Sequence, residues 1–243
     1  MSDLDRLYAQ IVAAPSDLAP RRAYEAAIRG TDPLRADFIA LQLEVREAAQ
    51  RGAPRPSETA RRARALLAAH PEWSGEIASK VASLDFYGGF VESVELGPAQ
   101  MANGHDLAAL APLRHLRTRD LHGKVDALLA LPFLPQILTL DVGQNKLDTA
   151  DVMQLAAAPA LAHLVVLDLG DNPITDDALR ALAQLPRLRY VETQGSNAPL
   201  FTRSEDLGQP GPVEVTESYR TLVNELGPLE WLDAEQPPPF DSL

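Results

Sequence analysis

The first part of the chain places its apolar residues at the spacing of amphipathic helices. In residues 3–14 the apolar side chains fall on one face of a helix, at Leu4, Leu7, Tyr8, Ile11 and Val12. Polar caps, prolines and glycines divide the next segment into three more helices, which we predict from Ser16 or Asp17 to Ile28, from Asp32 to about Gln50, and from Ser57 to the residue before Pro71. The pattern therefore predicts an all-helical domain over residues 1–80.

The pattern changes beyond residue 80, where short apolar strands alternate with helices at a repeating interval. The two clearest copies are Ile137-x-x-Leu140-Asp141-Val142-x-x-Asn145-x-Leu147 and Leu164-x-x-Leu167-Asp168-Leu169-x-x-Asn172-x-Ile174. Weaker copies have Ala99, Lys124, Ser196 and Ala234 at the Asn position. The apolar strand positions predict one shared core, and the residue between the last two of them is expected to point outward. We also expect Asn145 and Asn172 to hydrogen-bond the backbone where each strand ends.

These copies fit the template of leucine-rich repeats, L-x-x-L-x-L-x-x-N-x-L, and they resemble ribonuclease-inhibitor-like repeats. The resemblance implies a short α/β solenoid over residues 81–236, with parallel strands on the concave face and helices on the convex face. Residues 197–215 are in excess of the repeat and predict an irregular loop insertion, either functional or mobile. Residues 226–231 predict a closing strand that carries Glu230, and residues 237–243 predict a flexible tail.

A second resemblance concerns the start of the chain. The segments LYAQIVAAPSDLAPRRAYEAAI and DPLRADFIALQLE, followed by GGFVESVEL at residues 88–96, resemble bacterial leucine-rich-repeat proteins that begin with a helical repeat-companion domain. Ala36 stands where that family usually has Gly, and the segment that begins at Tyr24 lacks the family's Asp and Trp. The resemblance implies no known reaction. Leucine-rich repeats as a class imply protein–protein binding on the concave face.

The charge of the chain is unevenly distributed. The formal net charge is -12, but residues 1–75 hold 11 Lys and Arg against 10 Asp and Glu, whereas the remaining residues hold 11 against 24. An acidic field repels nucleic-acid phosphates and anionic lipid and attracts basic proteins or cations, so we expect no nucleic acid as a partner. The sequence has no Cys, no apolar run long enough to cross a bilayer and no signal-peptide core. These features predict a cytoplasmic protein without membrane insertion.

One acidic column runs through the repeats at the outward strand position, and its members are Glu95, Asp120, Asp141, Asp168, Glu192 and Glu230. Carboxylates on adjacent strands, about 4.8 Å apart, repel one another, so the column gains if a cationic partner neutralises it. The column is either a binding stripe or a structural and tolerated feature. On the first interpretation Tyr190 is an aromatic anchor at the end of the stripe. We predict a non-enzymatic interaction module that binds a basic segment of another protein.

Two other functions remain open from the sequence. One is a divalent-metal-dependent enzyme or regulatory subunit that uses the acidic concave residues. The other is a self-associating scaffold in which the basic helix face of Arg61, Arg62 and Arg64 mediates the contact. The sequence contains no defensible nucleophile–base set, no phosphate-binding or dinucleotide motif and no metal-ligand spacing among its His residues. We therefore predict no cofactor and no enzymatic activity.

Overall fold

The chain has a mixed α/β fold with two compact units. The computed structural model describes residues 2–102, 104–203, 213–234, 236–240 and 243. One unit comprises residues 1–95, 103–114 and 238–243, and the other comprises residues 96–102 and 115–237. We call them the first unit and the second unit.

The elements follow in chain order, and short 3₁₀ helices occur at Pro71–Ser79, Gly104–Asp106, Leu134–Gln136 and Pro159–Leu161. The remaining helices and strands are α1 (Asp3–Ala13), α2 (Ala19–Ile28), α3 (Pro33–Gln50), α4 (Ser57–Ala69), β1 (Ser83–Tyr87), β2 (Phe90–Leu96), α5 (Pro98–Ala102), α6 (Leu107–Leu110), β3 (His115–Thr118), α7 (Val125–Leu129), β4 (Thr139–Asp141), α8 (Thr149–Ala156), β5 (Val166–Asp168), α9 (Asp176–Leu182), β6 (Tyr190–Glu192), β7 (Phe201–Arg203), β8 (Val213–Val215), α10 (Glu217–Leu226) and α11 (Glu230–Asp233).

The helices of the first unit begin where the sequence provides caps. Ser2 and Asp5 form a reciprocal capping box at the start of α1, and the Asp32 side chain accepts a hydrogen bond from the backbone N–H of Arg35 at the start of α3. Helix α2 starts at Ala19, and the predicted residue Asp17 caps it, because Asp17 Oδ1 accepts from the Ala19 N–H at 2.9 Å. The four predicted helices are confirmed.

An aromatic core holds the first unit together around one arginine. The Arg35 guanidinium lies 5.0–5.7 Å from the ring centroids of four aromatic side chains, Phe38, Trp73, Phe86 and Phe90. Such cation–π contacts stabilise a cation that water no longer solvates. Burial nevertheless lowers the pKa of Arg35 to about 10. Trp73 is half-buried and also packs against Phe38, with the two ring centroids 5.2 Å apart.

Strands β1 and β2 form an antiparallel hairpin whose turn contacts two arginines. Gly88 and Gly89 make the turn with φ angles of 53° and 88°, a left-handed region that glycine adopts without strain. Arg21 Nη1 donates to the carbonyl of Gly88 at 3.0 Å, and Arg35 Nη2 donates to that of Gly89 at 2.7 Å. A Cβ on Gly89 would lie 2.7 Å from Ile39 Cγ1, so glycine is required for both conformation and packing.

The second unit contains parallel strands separated by helices. Strand β4 pairs in parallel with β3 and β5, and β5 pairs in parallel with β6. The central residues of the strands, Leu116, Leu140, Leu167 and Val191, stand opposite one another and are at most 3% exposed. The apolar strand positions therefore form a continuous core, as the alternating pattern predicted.

The end of the second unit differs from the sequence prediction in two places. Part of the predicted irregular insertion is regular, because β7 pairs antiparallel with β8. Residues 204–212 of that insertion lie outside the described residues. The predicted closing strand is wrong, since Glu230–Asp233 forms the short helix α11 and Trp231 on it is 2% exposed. A short apolar segment such as the one around Trp231 can bury its side chains either as a strand or as a helical turn. Over so few residues, the spacing of apolar positions does not distinguish the two.

Candidate functional site

Four charged side chains stand side by side across the parallel strands of the second unit. The strand register pairs Arg117 with Asp141, Asp141 with Asp168, and Asp168 with Glu192. We call these four residues the charged row. Because successive side chains of a strand alternate between the two faces of a sheet, the buried leucines beside them point the other way. Arg117 is exposed, and the three carboxylates are half-buried.

Backbone amides hold the three carboxylates of the row in place. Asp141 Oδ1 accepts from the N–H of Gly143 at 3.1 Å, and Asp168 Oδ1 accepts from that of Gly170 at 2.9 Å. Glu192 Oε1 accepts from the N–H of Gln194 at 2.8 Å. Each carboxylate thus binds the amide two residues later, where the strand turns into the following loop. This bond leaves the second carboxylate oxygen of Asp168 available to another donor.

The loop after each strand turns at the same repeat position. The residue three places after each member of the row has a positive φ, and these residues are Asp120 (54°), Gln144 (59°), Asp171 (55°) and Gly195 (73°). Gln144 Nε2 donates to Asp171 Oδ2 at 3.2 Å, which links two of these turns. A Cβ on Gly195 would lie 2.0 Å from Asp171 Oδ1, so the fourth turn of the series requires glycine.

Asn145 and Asn172 complete the loops, which confirms the role predicted for them. Asn172 Oδ1 accepts from the N–H groups of Asn145 and Leu147, at 3.1 and 2.9 Å. Asn172 Nδ2 donates to the carbonyl of Val142 at 2.9 Å. Asn145 makes the equivalent bonds one repeat earlier, accepting from Leu121 N at 2.9 Å and donating to Thr118 O at 2.9 Å. Both side chains are nearly fully buried, so they satisfy backbone groups that water cannot reach.

The predicted position of Asp120 in the acidic column is wrong. The strand register places Arg117 opposite Asp141, and Asp120 lies in the turn three residues later. Lys124 is likewise not at the Asn position. The Leu121 N–H donates to Asn145 Oδ1, as the Asn145 N–H donates to Asn172 Oδ1 one repeat later, and Lys124 precedes α7. Asp tolerates a left-handed φ better than most residues, which accounts for an acidic residue in that turn. The column is therefore interrupted by a cation.

The other predicted members of the site have separate surroundings. Glu230 is on α11 and pairs with Arg189 at 3.5 Å, so it is not on a strand. Tyr190 is not an exposed anchor, because it is 5% exposed and its hydroxyl donates to Glu192 Oε2 at 2.7 Å. Glu95 lies on β2 in the first unit, where the Ser83 hydroxyl donates to its Oε2 at 3.1 Å. The structure brings Asp141, Asp168 and Glu192 together.

Arg117 is the site residue that the sequence prediction missed. Its Nε donates to Asp141 Oδ2 at 2.6 Å, and its side chain is 52% exposed. The signal was present as Leu113-x-x-Leu116-Arg117-Thr118-x-x-Leu121, which keeps the leucine spacing of the clear copies. Because Leu121 is at the Asn position, the sequence favoured a register three residues later. In that register Lys124 is at the Asn position and Asp120 is in the acidic column.

The centre of the charged row is electrostatically unfavourable for an ionised carboxyl. The pKa of Asp168 is raised to about 6, mainly by burial and also by the neighbouring carboxylates Asp141 and Glu192, while the Gly170 N–H and Arg117 act in the opposite direction. Like charges on adjacent strands and partial removal from water both favour the neutral acid. A cation placed beside Asp168 would offset both effects.

A shallow cleft of about 300 Å³ lies over this row. Its walls include Arg117, Asp141, Asp168 and Glu192, together with the turn residues Gln144 and Asp171. Gly143 and Gly170 form part of its floor. A Cβ on Gly143 would lie 3.1 Å from Asp168 Oδ1, so a side chain there would crowd the carboxylate at the centre of the cleft. The cleft is thus lined mostly by polar groups, which include the carboxylates of the row and the cations Arg117 and Arg119.

Comparison with known proteins supports the repeat interpretation. Residues 160–183 match the family model for a leucine-rich repeat. This segment contains β5, with Asp168 on it, and α9. The match supports a leucine-rich-repeat protein and suggests a module for protein–protein interaction. No curated protein and no solved structure matches the chain.

Within the described ranges, no group of three or more His, Asp or Glu side chains is arranged to hold a metal ion. No helix in the same ranges has the length and apolarity needed to cross a membrane.

Proposed function

We propose that the protein is a non-enzymatic interaction module and that a basic segment of another protein binds on the charged row. The observation that carries this proposal is the strand register that sets the half-buried Asp168 between the carboxylates of Asp141 and Glu192, and the raised pKa of Asp168 agrees with it. This arrangement costs folding stability, and residues that reduce stability are typical of binding surfaces. A Lys or Arg side chain in the cleft would remove that cost on binding.

The geometry supports a cationic side chain as the group that is recognised. Asp168 Oδ1 is held by Gly170, so Oδ2 is the oxygen to which an incoming donor would bind. Glu192 lies on one side of it, and Asp141 on the other is partly neutralised by Arg117. Binding is therefore expected to centre on Asp168 and Glu192. If the sheet curves as leucine-rich repeats do, the row lies on its concave face.

Binding of a defined basic peptide tests this function. Fluorescence anisotropy would follow a labelled peptide in which Arg and Lys alternate with Gly and Ser, against a peptide with Glu in their place. The Asp168→Asn/Glu192→Gln variant is expected to lower the affinity about tenfold or more, because each lost charge pair contributes roughly 1 kcal/mol or more in a partly desolvated site. Affinity of the wild type should fall with added salt.

A matched control removes the same charge elsewhere. The variant Glu58→Gln/Glu76→Gln changes two exposed carboxylates of the first unit, and it therefore alters the net charge equally. If both variants weakened binding to the same extent, attraction would come from the overall acidity and the proposed site would be wrong. If only the charged-row variant weakened binding, a pull-down with the same variants, analysed by mass spectrometry, would identify partners whose recovery depends on the charged row.

A further inference from the structure

Three arginines and one glutamate form a buried cluster in the first unit. Arg21 from α2, Arg46 from α3 and Arg114 after α6 surround Glu92 on β2, and all four are at most 1% exposed. Arg21 Nη2 and Arg46 Nη1 each lie 2.7 Å from Glu92 Oε1, and Arg114 Nη1 lies 3.6 Å from Oε2. The cluster joins elements that are distant in sequence, and it takes no part in the charged row.

Several guanidinium nitrogens of this cluster have no hydrogen-bond partner. They are Arg21 Nε, Arg46 Nε and Nη2, and Arg114 Nη1 and Nη2, counted over the described part of the chain. The backbone N–H of Arg114 donates to Glu92 O at 2.8 Å, which fixes the base of the side chain beside the glutamate. Buried donors of this kind cost about 1–3 kcal/mol each, and more when they are charged, unless something accepts their hydrogens.

The charges of the cluster do not balance. Three guanidinium groups remain protonated at any physiological pH, and Glu92 supplies a single negative charge among the described residues. Burial lowers the pKa of Arg21, which shows that the surroundings disfavour its charge. A water molecule would satisfy unpaired donors, and also Glu92 Oε2, which lacks a hydrogen-bond partner, but it would leave the excess positive charge in place. An anion would accept hydrogen bonds from the unpaired donors and would also offset that charge.

We propose that the cluster binds a small monovalent anion of the chloride class through the unpaired nitrogens of Arg46 and Arg114. The cluster is tightly enclosed. The arginines are at most 1% exposed, and a Cβ on Gly88 would lie 2.8 Å from Arg21 Nη1 and 3.0 Å from Arg46 Nη1, so the β1–β2 turn packs directly against two of the guanidinium groups. A monatomic anion therefore needs less rearrangement of this packing than a phosphate or a carboxylate ligand.

Thermal unfolding in chloride tests the proposal with the full chain. Sodium gluconate would be replaced stepwise by sodium chloride at constant ionic strength, so that general screening does not change. We expect a saturable rise in Tm of roughly 3–6 °C when chloride exceeds its dissociation constant about tenfold. Arg114→Gln should abolish the rise, while Arg61→Gln on the exposed face of α4 should keep it.

A structural measurement separates an anion from a buried water. Crystals grown in bromide should show an anomalous peak in contact with Arg46 and Arg114. An identical Tm in gluconate and chloride would refute the proposal, and so would bromide-grown crystals without that peak. Both measurements can be made on the wild type, so they remain decisive if Arg114→Gln does not fold. Neither result bears on peptide binding at the charged row, so the two proposals can fail separately.

Discussion

Two aspartates of the candidate site, Asp141 and Asp168, have the same side chain but different neighbours. Asp141 has an arginine partner at 2.6 Å, whereas Asp168 lies between two carboxylates and has its pKa raised to about 6. An acid whose pKa is raised by folding binds more protons in the native state than in the unfolded state. Its ionisation therefore lowers stability as the pH rises from about 4 to about 6.

Replacement of Asp168 by Asn should stabilise the protein at neutral pH. Asn keeps an oxygen that accepts from Gly170 but carries no charge, so we expect a gain of about 1–2 kcal/mol at pH 7.5 after allowance for solvent screening. The gain should largely vanish at pH 4.5, where the wild-type carboxyl is mostly protonated. Urea unfolding at the two pH values measures this, and the exposed Glu76→Gln variant is the control. A gain that is equal at both pH values would contradict the electrostatic explanation.

Removal of Arg117 should increase the affinity for a basic peptide. Arg117→Ala frees the Asp141 carboxylate and takes away the one cation of the charged row, so the row becomes more negative. We expect an affinity about threefold to tenfold higher and a steeper salt dependence, opposite in direction to the loss in Asp168→Asn/Glu192→Gln. The anisotropy assay checks this. Unchanged or weaker binding would show that the peptide does not contact the row.

At the scale of the elements, each repeat is completed by a neighbour. The amide of Asn172 bonds to backbone groups of the loop that follows β4, and Asn145 does the same for the loop that follows β3. The sequence predicted these bonds because an Asn that recurs at the same repeat position, where a strand ends, lies next to backbone groups that need hydrogen-bond partners. It did not predict the register of β3, since Leu121 occupies the Asn position there.

Loss of one asparagine should therefore destabilise two repeats. Asn172→Ala leaves the N–H groups of Asn145 and Leu147 buried without an acceptor, and we expect a loss of about 2–4 kcal/mol in the free energy of unfolding. Chemical denaturation followed by circular dichroism measures it. Asn224→Ala, at an exposed position of α10, should change stability by less than about 0.5 kcal/mol. Equal effects of the two substitutions would be inconsistent with a structural role for Asn172.

At the scale of the whole molecule, the two units have different interiors. The second unit has an apolar core of repeated strands, while the first buries the Arg21–Arg46–Arg114–Glu92 cluster and an aromatic group around Arg35. The helices of the first unit followed from their caps and apolar spacing. The burial of Arg21, Arg46 and Arg114 did not, because a surface arginine and a buried one look the same in a sequence, and only long-range packing distinguishes them.

Glu92 should be indispensable to the first unit. Glu92→Gln removes the carboxylate that two arginines contact at 2.7 Å, and breaking such a buried ion cluster costs about 3–5 kcal/mol. Glu95→Gln changes a half-buried acid on the same strand and should cost less than about 1 kcal/mol. Thermal unfolding of the two variants compares them. Similar melting temperatures would mean that the cluster contributes little to folding.

The asparagine hydrogen bonds also affect the order in which the chain can fold during its synthesis. The loop that follows β4 needs Asn172, which leaves the ribosome more than twenty residues after that loop. The same delay applies to the loop that follows β3 and to Asn145. The polypeptide therefore folds about one repeat behind its own translation, and a nascent chain that stalls between these positions exposes an unfinished edge to chaperones and proteases.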